Sequence, residues 1–272
     1  VSDNLVLGFG NPPSLSLLRL HQQALAGGMR LPYTYQPIQL EAPLVETSGT
    51  ILRSPHILGC HFAESLPVGN CPWLDDVATG ATYSGRINAV FKNRGKLVGE
   101  DTSQSGAMRA LQHAGYRPQG TRVLLIGSAG AAQGLVQMLA EAGITQLLLL
   151  HSSSERLRGM AGTLKRDIPN LSLQVGSLHN EDLTQVLSAV QLLVIAMEPG
   201  DKQSRDSLPP HLSLPAGLFY LDLLSGAAPI WATQESVRYI PPLTLLLWQN
   251  VVCFRLWNHY DPPIAFLQEI GQ

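Results

Sequence analysis

The chain has 272 residues, 45% of them hydrophobic and 14% charged, so a sizeable core is available and disorder is excluded. Eighteen Lys and Arg against twenty Asp and Glu leave a net charge of −2 with no basic block, which excludes a nucleic-acid or acidic-membrane binder. The longest apolar runs, Leu147–Leu150 and Leu192–Ala196, fall far short of the ~20 residues of a membrane span. The opening Val1-Ser-Asp-Asn-Leu5 lacks the basic and apolar regions of a secretory signal. Cys60, Cys71 and Cys253 match no metal or redox spacing. No metal is expected, and the chain reads as a reduced, cytoplasmic protein.

In chain order, Leu5–Phe9 reads as a strand and Leu15–Ala26 as a helix. Tyr33–Gln39 alternates like a half-buried strand. Pro72–Val77 reads as a short helix opening on a proline at an N1-like position. A break follows at Gly99–Thr102. From Thr121 short apolar runs alternate with helical segments: strand Arg122–Ile126, helix Ala131–Ala142 ended by Gly143, strand Gln146–Leu150, and helix Ser154–Arg166 with Ser154 as N-cap. Leu171–Val175, Gln191–Ala196 and Leu218–Leu221 supply further strands. Pro199–Pro215 reads as a long loop, and Leu243–Trp257 as an apolar terminal helix. Near-continuous apolar strands alternating with helices imply a parallel sheet covered on both faces, hence an α/β protein with a doubly wound Rossmann half.

Strand Arg122–Ile126 runs into Gly127-Ser-Ala-Gly-Ala-Ala-Gln-Gly134 and then a helix, the context of a dinucleotide-binding turn. Gly127, Ser128, Ala129, Gly130 and Ala131 are the candidates there, with Ala132 as the small third residue. Ala129 stands where pyrophosphate usually approaches a glycine, and Gly130 relieves that crowding. After the second strand, His151-Ser-Ser-Ser-Glu-Arg156 replaces the acidic residue of an NAD site. Ser152, Ser153 and Arg156 suit the 2′-phosphate of NADP, so NADP is favoured and NAD remains possible. The competing reading of both segments is structural: a Gly/Ala turn that packs a helix, and an N-capped helix start.

Further motifs lie outside this half. They are Ser14-Leu-Ser16 after Gly10-Asn-Pro, Gly85-Arg-Ile-Asn88, Gly95-Lys-Leu-Val-Gly99 followed by Gly106, and Gln249, Phe254 and Trp257 in the last helix. In their order and spacing they resemble the shikimate dehydrogenase family over nearly the whole length. The resemblance implies residues 1–101 as a substrate-binding domain and 102–242 as a Rossmann domain, with a cleft between them. It also implies that 243–272 is a helical segment packing back on the first domain. Ser14, Ser16, Asn88 and Gln249 would then hold a small hydroxy acid, and the protein would be a monomer or homodimer.

The same resemblance places the family's catalytic lysine on Pro67, in Gly59-Cys-His-Phe-Ala-Glu-Ser-Leu-Pro67, and its aspartate on Ser103, in Asp101-Thr-Ser103. Its substrate-binding Asn and Thr fall on His61 and Ala63, a late tyrosine on Ser225, and a Gly-Met pair on Gly200-Asp201. Alcohol oxidation needs a base for the hydroxyl proton, and proline and an unaided serine supply none. His61, expected to titrate near neutrality, is the best replacement, with Glu64 and Asp101 nearby in sequence to orient or charge it and Ser103 a further catalytic candidate. A bland alternative makes His61 a satisfied polar residue at a strand end. Two functions follow: an NAD(P)-dependent oxidoreductase of altered specificity with little shikimate turnover, or a non-catalytic nucleotide- or metabolite-binding relative with a sensing or complex-forming role.

Overall fold

The computed structural model describes residues 3–39, 45–179, 182–197, 208, 213–223 and 234–270. Its elements begin β1 (Leu5–Gly10), α1 (Leu15–Ala26), β2 (Thr34–Gln39), α2 (Val45–Leu52), β3 (Ile57–Pro67), β4 (Asp76–Val77), α3 (Thr79–Ser84), β5 (Arg86–Asn93), β6 (Lys96–Glu100) and α4 (Thr102–His113). They continue with β7 (Arg122–Gly127), α5 (Ala129–Glu141), β8 (Gln146–His151), α6 (Ser154–Asp167), β9 (Ser172–Ser177), α7 (Leu183–Ser188), β10 (Leu192–Ala196), β11 (Phe219–Asp222), β12 (Arg238–Ile240), α8 (Pro242–Asn258) and α9 (Ile264–Ile270). Two compact units result: Val1–Ala107 with Leu246–Gln272, and Met108–Leu245.

The first unit is built on a mixed sheet of order β2-β1-β3-β5-β6-β4. Leu7, Phe9, Cys60, Phe62, Leu66, Ile87, Val90 and Leu97 share one face, packed with Leu52 and Ala81. Strand alternation gives this pattern except in β5, where the β3–β5 register shifts between His61 and Leu66 and both Ile87 and Val90 face this way. Val6, Tyr35 and Ala89 point to the other, where Leu17, Leu20 and Ala24 of α1 meet Val251, Phe254 and Trp257 of α8. Gly59 permits that closure. A Cβ there would lie 2.5 Å from Trp257 Nε1, which donates to Val90 O at 3.0 Å. One expected element differs. Pro72–Val77 is a turn leading into β4, because Asp75 N donates to Leu97 O and its carboxylate accepts from Leu97 N, laying the chain along β6.

A buried polar relay ties the α1 face together. His21 Nδ1 lies 2.8 Å from Leu17 O, a pure acceptor, so Nδ1 carries the proton and Nε2 accepts from Tyr33 Oη at 2.8 Å. Asn258 Nδ2 donates to Tyr33 Oη at 2.6 Å and to Phe254 O at 2.9 Å. Tyr33→Phe strands His21 Nε2 and is expected to cost about 1–3 kcal/mol, measured by urea unfolding. A loss no larger than for an exposed Tyr→Phe control would deny the relay any energetic weight.

The second unit carries an all-parallel sheet of order β9-β8-β7-β10-β11-β12. Counted from its own first strand this is the 3-2-1-4-5-6 order of doubly wound dinucleotide sheets. Its inner strands are buried at nearly every position, which is why they read as unbroken apolar runs. Gly143, at φ +91°, follows the end of α5, a conformation that favours glycine. The N-cap of α6 is Ser153 rather than Ser154: Ser153 Oγ accepts from Arg156 N at 3.4 Å, one residue earlier than expected. Among the described residues no helix is long and apolar enough to cross a membrane. The expected loop Pro199–Pro215 lies largely outside the described residues.

Candidate functional site

In the first unit the candidate residues gather on the α1/α8 face of the sheet. Alternation along β3 puts Gly59, His61, Ala63, Ser65 and Pro67 on this face, opposite Cys60, Phe62 and Leu66. The floor beside them is kept low by glycine. A Cβ on Gly8 would lie 2.1 Å from Tyr35 Oη, and one on Gly10 would lie 2.5 Å from the Ala63 methyl.

Ser14 and Ser16 open α1. Ser14 Oγ caps the helix by accepting from Leu17 N at 3.4 Å and lies 3.3 Å from Ser16 Oγ. Asn250 of α8, which the sequence reading missed, donates from Nδ2 to Ser16 Oγ at 2.8 Å. Its Oδ1 is buried without a hydrogen-bond partner. Next to it in sequence, Gln249 Nε2 donates to Ser103 Oγ at 3.3 Å. Close helix contact makes this possible, since Gly106 of α4 leaves no room for a Cβ against the Gln249 backbone, 2.7 Å away.

Asn88 and Thr102 are locked to each other. Thr102 N donates to Asn88 Oδ1 and Asn88 Nδ2 to Thr102 Oγ1, both at 3.0 Å, leaving one Nδ2 hydrogen for another acceptor. Thr102 Oγ1 also lies 3.3 Å from Cys253 Sγ. Asp101 is buried, and its Oδ1 accepts from Ser103 N at 3.0 Å. The structure therefore brings Ser14, Ser16, Asn88, Asp101, Ser103 and Gln249 into linked pairs. His61 shares the face, in register with Gly8 and Ala89, with no hydrogen bond to that set.

The expectation that His61 titrates near neutrality is corrected by its burial. Loss of solvent takes its pKa down to about 4, with His21 adding to the effect, so the imidazole is neutral at pH 7. Its Nδ1 is buried without a partner. His21 is likewise lowered to about 4 by burial, against the raising effect of its bond to Leu17 O. Glu100, also missed from sequence, moves the other way. Burial pushes it up to about 7, against the backbone N–H groups of Asp101, Ala81 and Gly80 and aided by the neighbouring Asp101 charge.

These groups give stability a definite pH slope. Unfolded histidines take up protons below about 6.5 while His21 and His61 stay neutral down to about 4, so their contribution is lost as pH falls through that window. Glu100 keeps its proton up to about 7 when folded and loses it near 4.5 when unfolded, so its contribution is lost as pH rises. Two protons outweigh one between pH 5 and 6.5, and stability is expected to rise with pH there, by at most about 1.4 kcal/mol per pH unit for each net proton. Urea unfolding across this range checks it: Glu100→Gln steepens the slope and His61→Gln flattens it. An unchanged slope in both variants would remove these groups from the account.

In the second unit the glycine turn sits where the strand order reverses, between β7 and β10. Gly127 has φ +114°, and a Cβ on it would lie 2.6 Å from Ala196 O. Ser128 N donates to that same carbonyl at 2.6 Å. The backbone of Ala129, Gly130 and Ala131 forms the first turn of α5, two residues earlier than expected, and their side chains lie outside the described set. Ala132 is fully buried against the sheet. At the end of β8, His151 Nδ1 accepts from Ser153 N at 2.8 Å, which shapes the turn that carries Ser152 and Ser153. Arg156 is exposed. Ser225, Gly200 and Asp201 lie outside the described residues.

A mixed-sheet unit joined in sequence to a doubly wound, dinucleotide-type unit defines a two-unit α/β protein of the kind found among nicotinamide-dependent oxidoreductases. No family model matches the chain. The chain is 30% identical over 269 residues to "Shikimate dehydrogenase (NADP(+))" of Xanthomonas euvesicatoria, covering 93% of this chain and 90% of that protein. It is 28% identical to the Moorella thermoacetica protein of the same name, over 99% of this chain and 92% of that one. Among solved structures, shikimate 5-dehydrogenase of Listeria monocytogenes, in complex with shikimate and NAD, superposes with a TM-score of 0.75 at 21% identity, covering 98% of this chain and 96% of that one. A 5-ketofructose reductase of a Gluconobacter strain gives the same TM-score at 18% identity, over 100% and 98% of the two chains. The chain belongs to the shikimate dehydrogenase family, with that family's two-domain fold.

Proposed function

We propose that this chain is an NAD(P)-binding oxidoreductase of altered specificity, with little or no shikimate turnover, acting on a different small hydroxy or keto acid. The observation that carries the reading is the proton-handling inventory of the α1/α8 face: Pro67 and Ser103 at the positions of the resemblance's lysine and aspartate, and a His61 that burial keeps neutral. Ser14, Ser16, Asn88 and Gln249 supply hydroxyl and amide groups for a polar acid. Asp101 and Ser103 are the groups left to take a proton, with Ser103 Oγ held by Gln249.

A nicotinamide dinucleotide fits the second unit. The Gly127 turn at the strand-order reversal, with no room for a Cβ, leads straight into the N-terminus of α5, where backbone N–H groups suit a pyrophosphate. When bound, the group supplies hydride acceptance and donation. Gly127, Ser128, Ala129, Gly130 and Ala131 would line the pyrophosphate, and Ser152, Ser153 and Arg156 the adenosine ribose. NADP is preferred on this reading because no carboxylate follows β8 directly, and the relatives' names support it. Ser153 already caps α6, so Ser152 and Arg156 carry most of the preference.

Calorimetric titration with NADPH and NADH, each with and without shikimate, tests the proposal. Tighter binding of NADPH is expected, with no reduction of NADP in the presence of shikimate. Cofactor binding without turnover on any hydroxy or keto acid would favour the non-catalytic reading, to which the neutral His61 also lends weight. Failure of both nucleotides at millimolar concentration would overturn the cofactor assignment.

A further inference from the structure

On the same sheet face, a cation stands beside the position that the resemblance reserves for lysine. Arg86, the first residue of β5, pairs across the sheet with Pro67, the last of β3. Leu66 and Ile87 pair next to them and point into the opposite core cluster, which leaves their neighbours Arg86, Ser65 and Pro67 on the α1/α8 face, where Asn88 lies too through Thr102 and Cys253 of α8. Among the described residues of β1, β3 and β5, Arg86 is the one cationic side chain on this face. Lys92 points to the other, donating to Ser54 O.

The guanidinium is held rather than loose. Its Nε donates to Ser65 Oγ at 2.8 Å and its Nη2 donates to Ser65 O. Those two bonds use one edge of the fork. They leave the end-on pair of donors, one hydrogen on each Nη, facing away from Ser65. That edge matches the two oxygens of a carboxylate. Arg86 is exposed, so a ligand reaches it, and no carboxylate of the described residues pairs with it. An arginine cannot replace a lysine base, because it does not give up its proton at working pH. What it offers is an anchored anion-binding edge two residues along β5 from Asn88.

We infer that Arg86 determines specificity by binding a second carboxylate of the substrate, so that the acid taken by this face is a hydroxy or keto dicarboxylate. The inference rests on the reading that the Ser16–Asn88 face takes a small polar acid. Ser65 acts as a positioning residue that sets the angle of the fork.

Calorimetry with malate and 2-hydroxyglutarate, against lactate and shikimate as one-carboxylate controls, tests it on the wild type, Arg86→Met, Arg86→Lys and Ser65→Ala. At least one dicarboxylate is expected to bind the wild type more tightly than both controls, and to lose about tenfold or more in Arg86→Met. Arg86→Lys restores part of that loss, Ser65→Ala loses less, and the controls hardly change. If a control binds but no dicarboxylate depends on Arg86, the inference fails while the small-acid reading stands. If none of the four acids binds the wild type at millimolar concentration, both fall together. Matching thermal melts of the variants exclude misfolding as the cause of any loss.

Discussion

Shikimate offered with NADP is expected to be oxidised at least about 10²–10⁴-fold more slowly than by a relative with an intact proton-transferring pair. The absorbance of reduced cofactor measures this, with a relative whose sequence carries both the lysine and the aspartate as the reference. The expectation rests on chemistry at three positions. A proline at 67 has no proton to exchange, Ser103 Oγ is held by the Gln249 amide, which is no base, and His61 is a weak base once burial has lowered it to about 4. Turnover equal to the relative's would mean that another group takes the proton, and Asp101→Asn would be the first variant to measure, since Asp101 Oδ1 lies at Ser103 N.

The complementary experiment installs the missing groups. Pro67 has φ −59° and ψ 135°, extended backbone that a lysine adopts without strain. Pro67→Lys with Ser103→Asp is expected to raise shikimate oxidation by about tenfold or more, and either change alone by far less, because groups that act as a unit are not additive. Arg86 pairs with position 67, so a new ammonium there meets a like charge. Adding Arg86→Met should therefore increase the gain.

Gly127→Ala is the second large effect. At φ +114° an L residue is strained, which costs about 1–3 kcal/mol. The added methyl would also lie 2.6 Å from Ala196 O, a backbone atom that moves only if β10 moves, and overpacking of this kind costs about 1–3 kcal/mol more. Against a typical total of about 5–15 kcal/mol this is a large share, and a fall in melting temperature of about 10 °C is expected. Nucleotide affinity should fall with it, since the turn leading into α5 is displaced. A melt within experimental error of the wild type would show that the turn relaxes at little cost.

The second unit was the more legible in sequence. Its strands are buried on both faces, so Arg122–Gly127 and Leu192–Ala196 announce themselves as apolar runs, and Gly127 and Gly143 mark the turns. The first unit was read in part. β1, α1 and β2 carry clear patterns, but β3 places Gly59, His61, Ala63, Ser65 and Pro67 on a face that is a site floor rather than a core. The helix Thr102–His113 was missed although Gln104, Ala107, Met108 and Leu111 form its buried stripe, because only Met108 and Leu111 of that stripe are large apolar residues. The hairpin between β5 and β6 did leave a signal, Arg94-Gly95, with φ of +51° and +82°. Site partners were hidden for a different reason. Asn250 bonds Ser16 across 234 positions and Arg86 bonds Ser65 across 21, and no local spacing encodes such pairs.

The division of the chain has a consequence for how the molecule is made. The second unit is one continuous stretch, Met108–Leu245, whereas the first needs Leu246–Gln272 as well. The partners that Val6, Leu17, Leu20 and Tyr35 pack against, Val251, Phe254 and Trp257, come after every strand of the parallel sheet in sequence. On a chain made from its N-terminus, the first unit can therefore close only after the whole of Met108–Leu245 has been made, and until then Val6, Leu17, Leu20 and Tyr35 have no cover from α8.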